Sequence, residues 1–174
     1  RQMCIRDRYN LKQMAAALQY LKEHQLFEYD DLAAKTDAAT ERFHTLAGDI
    51  QQTEAELSRV SDLMAAVVQY AKTRPAFDGY KAAKYSRKYL AEHEAELADY
   101  RAAKAMMGEL LGGEKLPKMA ELKEKRRQLA ARKKALYTEY RSAQEEMRQA
   151  VAVKANIDYL LGVTDGQRKK EQER

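Results

Sequence analysis

The fold class is decided by residues 29–71, which read YDDLAAKTDAATERFHTLAGDIQQTEAELSRVSDLMAAVVQYA. Apolar and small residues recur in this stretch at alternating spacings of three and four, so they fall on one stripe of a helix. Because a single helix cannot bury its own stripe, the repeat predicts a second helix packed against the first. The two rows of the stripe are Tyr29, Thr36, Phe43, Ile50, Leu57, Met64 and Ala71, and Leu32, Ala39, Leu46, Thr53, Val60 and Val67.

A second repeat of matching length occupies residues 119–161. The matched lengths predict a long antiparallel coiled-coil hairpin with residues 75–117 as a small helical cap. The alternative is an elongated three-helix bundle in which residues 86–110 pack along the pair, and the spacing leaves both topologies open. The rows of the second repeat are Leu122, Leu129, Leu136, Ala143, Ala150 and Ile157, and Met119, Arg126, Lys133, Tyr140, Met147, Lys154 and Leu161.

The composition agrees with an all-α fold. The chain has 174 residues, of which 45% are hydrophobic and 34% are charged, with no Trp and only two Pro. The residue types that favour helices dominate it. No apolar run approaches the roughly 18 residues that cross a bilayer, and no secretory signal is recognisable. We therefore expect a cytoplasmic protein without a membrane span.

Turn residues and changes of pattern divide the chain into six segments. Residues 1–8 resemble a translated sequencing adapter, so we expect them to be non-native and the true N-terminus to be missing. Asn10 is the expected cap of the first helix, and Pro75 is expected to end or kink the long helix that precedes it. The segments are a scar at 1–8, an N-terminal helix at 9–26, long helix one at 27–74, a helical cap at 75–117, long helix two at 118–162 and a disordered charged tail at 163–174.

Within the predicted cap, the pattern indicates a short helix near residues 77–83 and a further helix from its cap Ser86 to about residue 110. Gly112 and Gly113 mark a clear break, and Pro117 suits the entry to the last helix. We expect Gly162 to cap the C-terminal end of that helix.

The sequence contains no recognisable catalytic, metal or cofactor motif. The histidines His24, His44 and His93 are not spaced as metal ligands, and no Gly-rich phosphate loop occurs. Acidic residues are spread over helix faces rather than paired. We expect surface or seam-edge histidines, no catalytic residue, no metal, no cofactor and no enzymatic activity.

Two groups of basic residues are candidate DNA contacts. In the first group, four cations are interleaved with tyrosines. One interpretation is a platform on which single-stranded nucleic acid stacks, and the alternative is that the rings pack in the cap while the cations are surface charge. In the second, the acid-rich residues 28–49 are expected toward the other end of the hairpin, which would leave much of the charge without an intrachain partner. A solvated basic face is the alternative. The groups are Lys81, Lys84, Arg87 and Lys88 among Tyr70, Tyr80, Tyr85, Tyr89 and Tyr100, and Lys123, Lys125, Arg126, Arg127, Arg132, Lys133 and Lys134.

A series of short sequence segments over residues 9–162 resembles the C-terminal region of mobilisation relaxases from conjugative and integrative elements of Firmicutes. Their order and spacing carry the resemblance, and none of them is a catalytic motif. The segments are YNLKQMAA (9–16), FEYDDLA (27–33), ATERFH (39–44), YAKTR (70–74), YSRKYLAEHE (85–94), LP (116–117), YTEYR (137–141) and VKANID (153–158).

The resemblance implies a helical arm without the family's chemistry. In that family an N-terminal nicking domain cuts one DNA strand with a tyrosine nucleophile and a histidine-rich metal site, and no position here matches those motifs. The implied role is a scaffold or a DNA- and partner-contacting region in plasmid or integrative-element transfer. Candidate partners are DNA bound weakly and non-specifically, conjugation proteins, and a second copy through the coiled coil. The alternative is an autonomous coiled-coil interaction protein without a nucleic-acid role.

Overall fold

The computed structural model describes residues 5–162, with side chains from residue 8 onward. This range forms five helices and no strand, which confirms the all-α fold class. The predicted disordered tail at 163–174 lies outside the described residues. The helices are α1 (Ile5–Glu23), α2 (Tyr29–Ala82), α3 (Arg87–Glu92), α4 (Glu94–Leu111) and α5 (Met119–Leu160).

The chain divides into two compact units, and α2 and α5 contribute to both. Among the described residues, the first unit contains those up to Asp49 and those from Leu136 onward. Here the start of α2 runs antiparallel to the end of α5: the Tyr29 hydroxyl donates to Asp158 at 2.5 Å, and Arg42 pairs with Glu146 at 3.0 Å. The third helix, α1, completes a core whose buried and partly buried members are Ala17, Leu32, Val153, Tyr20, Leu21, Leu26 and Ile157.

The second unit comprises Ile50–Ala135. The middle of α2 again runs antiparallel to α5, since Glu54 pairs with Lys133 at 2.9 Å and Glu56 pairs with Lys125 at 2.7 Å. The end of α4 packs on the same core, and the Arg59 guanidinium donates to the Leu110 carbonyl at 3.1 Å from Nε. The antiparallel pairing that defines the predicted hairpin thus occurs inside each unit, with a third helix in each core. The second core contains Val60, Leu63, Met64, Leu122 and Leu129, with Met107, Leu110 and Leu111 packed against it.

The sequence predicts that Pro75 ends or kinks the long helix at residue 74 and that a separate helix spans residues 77–83. The predicted helix end and the separate helix are both wrong. Helix α2 continues through Pro75 to Ala82. Pro75 has no N–H for the carbonyl four residues earlier, a loss that costs about 3 kcal/mol inside a helix. Packing offsets this cost, because Ala76 is 7% exposed and the Phe77 ring stacks on Tyr100 with centroids 4.3 Å apart.

Two further predicted boundaries are wrong. Asn10 is not a helix cap, because α1 already begins at Ile5. The single helix expected from residue 86 to about 110 is interrupted at His93, which has φ −123° and ψ 24°. The His93 ring stacks on Tyr89 at 4.2 Å, and its backbone N–H donates to the Tyr89 carbonyl.

The other predicted boundaries correspond to real helix ends. Ser86 stands at the cap position of α3, although its side chain makes no capping hydrogen bond. Gly112 follows α4 in the left-handed conformation at φ 56°. Before α5, the Glu121 carboxylate accepts a hydrogen bond from the Lys118 N–H at 2.9 Å, which is half of a capping box. Gly162 adopts φ 67° just beyond α5.

Helix α1 ends in a Schellman motif that carries glutamine where glycine is favoured. The Leu26 N–H donates to the Leu21 carbonyl at 2.8 Å, and the Gln25 N–H donates to the Lys22 carbonyl at 3.2 Å. Gln25 has φ 54°, a left-handed conformation that strains a residue with a Cβ. Leu21 and Leu26 both pack on the first core, which closes the motif.

We expect Gln25→Gly to raise the free energy of unfolding by about 0.5–1 kcal/mol, because relief of the left-handed strain exceeds the added entropy of the unfolded chain. Gln52→Gly, at an exposed position inside α2, is the matched control and should lower the free energy by a similar amount. Urea denaturation followed by circular dichroism measures both. A destabilised Gln25→Gly variant would contradict the assigned backbone conformation.

Candidate nucleic-acid interface

Residues 79–91 form the α2–α3 corner, where the chain leaves α2 and enters α3. The corner repeats the Schellman motif: the Tyr85 N–H donates to the Tyr80 carbonyl at 3.0 Å, and the Lys84 N–H donates to the Lys81 carbonyl at 2.9 Å. Lys84 takes the left-handed position at φ 52°, and Tyr85 follows at φ 61°. Each costs about 1–2 kcal/mol relative to a right-handed conformation. The surrounding contacts must therefore hold this turn in place.

Those contacts are made by aromatic rings. The Tyr85 ring meets Tyr80 nearly at right angles, with centroids 5.2 Å apart, which is the side-chain contact expected of a Schellman motif. Tyr80 in turn lies 6.2 Å from Tyr89 in a stacked arrangement. Tyr89 packs so closely on α2 that a Cβ at Gly79 would collide with its hydroxyl group. Gly79 therefore allows α3 to approach the end of α2.

The α2–α3 corner is strongly basic. Between residues 79 and 91 the sequence has four cations and no carboxylate. All four cations are exposed, and none forms an ion pair with a residue that the structure describes. Lys81 lies 5.4 Å from the centre of the Phe77 ring, a cation–π contact that leaves its charge uncompensated. The cations are Lys81, Lys84, Arg87 and Lys88.

The tyrosines of the predicted cap separate into packed and exposed members. Tyr100 is 5% exposed and stacks on Tyr70, with centroids 5.1 Å apart. A hydrogen bond with Tyr70 and burial raise the pKa of the Tyr100 hydroxyl. These two rings belong to the packing of α2 against α4. In contrast, Tyr85 is 58% exposed among the four cations of the α2–α3 corner.

The basic run on α5 is partly neutralised by carboxylates. Lys125 pairs with Glu56 of α2 at 2.7 Å. The hydrogen bond and the charge of Lys125 hold the pKa of the Glu56 carboxyl below its ordinary value. Lys133 pairs with Glu54 in the same way, and Arg127 forms two hydrogen bonds with Glu124 on its own helix. The prediction that much of this charge lacks a direct intrachain partner is wrong for Lys125 and Lys133, which pair with carboxylates of α2.

The rest of the run lies on α5 as predicted. Lys123, Arg126 and Arg132 are exposed and make no ion pair within the described part of the chain. Lys134 is also exposed. The partner of Lys133 could have been found from the sequence, because laying the two predicted long helices antiparallel places residue 54 within one helical turn of Lys133. The run therefore offers less uncompensated charge than its composition indicates.

The histidines lie against rings rather than in a cluster. His24 stacks on Tyr20 at 4.1 Å, His44 contacts Phe43 at 5.4 Å, and His93 lies 3.6 Å from Glu96 as well as on Tyr89. Within residues 5–162 no group of three or more His, Cys, Asp or Glu side chains is arranged to hold a metal ion. The helices described here also include none with the length and hydropathy needed to cross a membrane.

Comparisons of the chain with protein-family models, with curated proteins and with solved structures found no match. The chemistry of the α2–α3 corner must therefore be interpreted from its own geometry. Exposed cations without acidic partners attract phosphate, and an exposed ring beside them suits a nucleobase.

Proposed function

We propose that this chain is the non-catalytic helical arm of a mobilisation relaxase, which contacts DNA and partner proteins during plasmid or integrative-element transfer. The ordered series of relaxase-like sequence segments over residues 9–162 supports the proposed relaxase family. The charge of the α2–α3 corner supports the DNA contact and is the observation that carries the proposal. Four exposed cations lie there, and no Asp or Glu occurs between residues 79 and 91.

The α2–α3 corner is a better phosphate site than the run on α5. A cation that binds phosphate gains most when it does not first have to leave an intrachain carboxylate. Lys125, Arg127 and Lys133 already have such partners at 2.7–2.9 Å. The cations of the corner have none in the described range. We therefore assign the principal DNA contact to the corner and a smaller contribution to the run.

Two variants that each remove four positive charges test this assignment. The corner variant replaces Lys81, Lys84, Arg87 and Lys88 with Gln, and the run variant replaces Arg126, Arg127, Arg132 and Lys133 with Gln. Binding of a labelled duplex is measured by fluorescence anisotropy over a series of salt concentrations. The unmodified chain should bind weakly, without sequence preference, and with a steep loss of affinity as salt rises.

The corner variant should bind about tenfold or more weakly in dilute salt. Its slope of log affinity against log salt should be shallower by about 0.9 for every phosphate that the replaced cations bind in the unmodified chain. The run variant should lose clearly less affinity, although its net charge changes by the same amount. Equal losses in the two variants would mean that only net charge matters, and the corner would then not be a distinct site.

A protein-interaction role without nucleic acid is the second candidate, and a groove in the second unit favours it. The groove lies between α2 and α4, and Met106 in its lining is 48% exposed. The other lining residues are four alanines and three polar residues: Ala65, Ala66, Ala102, Ala103, Asp62, Gln69 and Asp99. Failure of the unmodified chain to bind DNA even in dilute salt would make this candidate the better account.

A further inference from the structure

We propose that the α2–α3 corner binds single-stranded nucleic acid, with the Tyr85 ring as a stacking surface for a base and the flanking cations on the backbone phosphates. This inference rests on the proposed nucleic-acid contact and specifies its ligand. The observation behind it is the juxtaposition of one exposed aromatic ring with Lys84, Arg87 and Lys88, all without acidic partners in the described range.

The backbone of the α2–α3 corner explains how Tyr85 comes to be presented. Glycine is the usual residue at the left-handed end of a helix, but Lys84 and Tyr85 both adopt positive φ here. Two consecutive strained residues with side chains place a cation and a ring together at the tip of the turn. Strain of this kind is concentrated at binding sites, where the surrounding structure holds it.

The ring is also held in place before any ligand arrives. Tyr85 contacts Tyr80 at 5.2 Å, Tyr80 stacks with Tyr89, and Tyr89 is wedged against Gly79. A ring that is already ordered loses little freedom when a base stacks on it. Yet Tyr85 remains 58% exposed, so part of its ring stays available.

Stacking on Tyr85 distinguishes a single strand from a duplex. In a duplex the faces of the bases are covered by neighbouring bases, so only the cations of the corner could contribute. In a single strand every base has a free face, and stacking on an aromatic side chain is tolerant of sequence. We therefore expect a pyrimidine-rich single strand to bind more tightly than a duplex of the same length.

A lipid surface is a less suitable ligand for the same charges. Helices that lie on membranes present a wide apolar face, whereas α3 has only six residues. Within the α2–α3 corner the large aliphatic residue Leu90 is half-buried, and Tyr85 is the exposed ring. Vesicles of phosphatidylserine and phosphatidylcholine are included in the test to separate the two ligands.

The experiment compares Tyr85→Ala with Tyr85→Phe, which keeps the ring, and with Tyr159→Ala, which removes a tyrosine that is 69% exposed elsewhere. Affinity is measured for a labelled oligothymidylate and for a hairpin duplex. Tyr85→Ala should weaken single-strand binding about five- to a hundredfold and leave duplex binding unchanged. Tyr85→Phe and Tyr159→Ala should bind like the unmodified chain.

A direct readout is available because the chain contains no tryptophan. Tyr85→Trp introduces a single tryptophan at the proposed stacking position, which can be excited selectively over the tyrosines, and oligothymidylate should quench its emission in proportion to binding. Unchanged emission at saturating oligonucleotide would overturn the stacking role. Circular dichroism melting of each variant verifies that the fold is retained.

The outcomes separate this inference from the proposed function. If Tyr85→Ala binds both nucleic acids normally while the four-cation corner variant loses affinity, the stacking inference is wrong and the DNA contact stands. If the unmodified chain binds neither nucleic acid, both are wrong. If the chain binds the anionic vesicles more tightly than the oligonucleotide, and Tyr85→Ala abolishes vesicle binding, then the ligand of the corner is a lipid surface and the nucleic-acid inference is wrong.

Discussion

Leu32→Ala should lower the free energy of unfolding by about 2–5 kcal/mol, the range for a large-to-small change at a buried site. Leu32 is 1% exposed and packs with Ala17 of α1 and Val153 of α5. The substitution therefore leaves a cavity where three helices meet. Urea denaturation followed by circular dichroism at about 222 nm measures the change.

Leu18→Ala is the matched control for this prediction. Leu18 is also a leucine on a helix of the first unit, but it is 62% exposed. Its removal should change the free energy of unfolding by no more than about 0.5 kcal/mol. If Leu32→Ala and Leu18→Ala shift the urea midpoint equally, Leu32 is not part of a packed core.

The hydrophobic repeat predicted most of the buried stripe of α2. Both rows contain buried residues, whereas Ala71, the last residue of the first row, is exposed. Phe43 is only half-buried, with its ring 4.9 Å from Tyr140. A repeat identifies the residues that must be covered, and this information is local to each helix. The buried members of the rows are Leu32, Thr36, Leu46, Ile50, Thr53, Val60 and Met64.

The partner that covers each part of the stripe could not be predicted in the same way. The core that α2 shares with α5 includes residues of α2 up to Val67, and α4 packs beside α2 from Arg59 to Phe77. This second partnership explains why α2 continues past Pro75. It depends on contacts between residues far apart in the sequence, which local helix signals do not encode. For the same reason the carboxylate opposite Lys125 could not be predicted.

The candidate site was predictable in composition but not in conformation. The interleaving of tyrosines with Lys81, Lys84, Arg87 and Lys88 is visible in the sequence. The left-handed turn is not, because glycine is the residue that usually signals it, and here Lys84 occupies that position. The exposure of Tyr85 follows from this turn, so only the structure could separate it from the packed Tyr100.

Ala150→Asp should lower the free energy of unfolding by about 3–5 kcal/mol at neutral pH, because it places a charge without a designed partner in a buried site. Ala150 is 0% exposed. The corresponding row of α5 has leucine at 122 and 129 in the second unit and alanine at 143 and 150 in the first. Both alanines are buried.

The pH dependence of this variant distinguishes buried charge from simple overcrowding. Burial should raise the pKa of the introduced carboxyl in the folded state above its unfolded value of about 3.9. The destabilisation should therefore grow as the pH rises from about 3.9 to the pKa of the folded state. It should be smallest below about pH 3.9, where the introduced carboxyl is protonated in both the folded and the unfolded state. Ala152→Asp, at an exposed position two residues along α5, controls for the lower helix propensity of Asp. A loss of stability that is the same at every pH would indicate a steric effect, and equal losses in the two variants would place Ala150 outside the core.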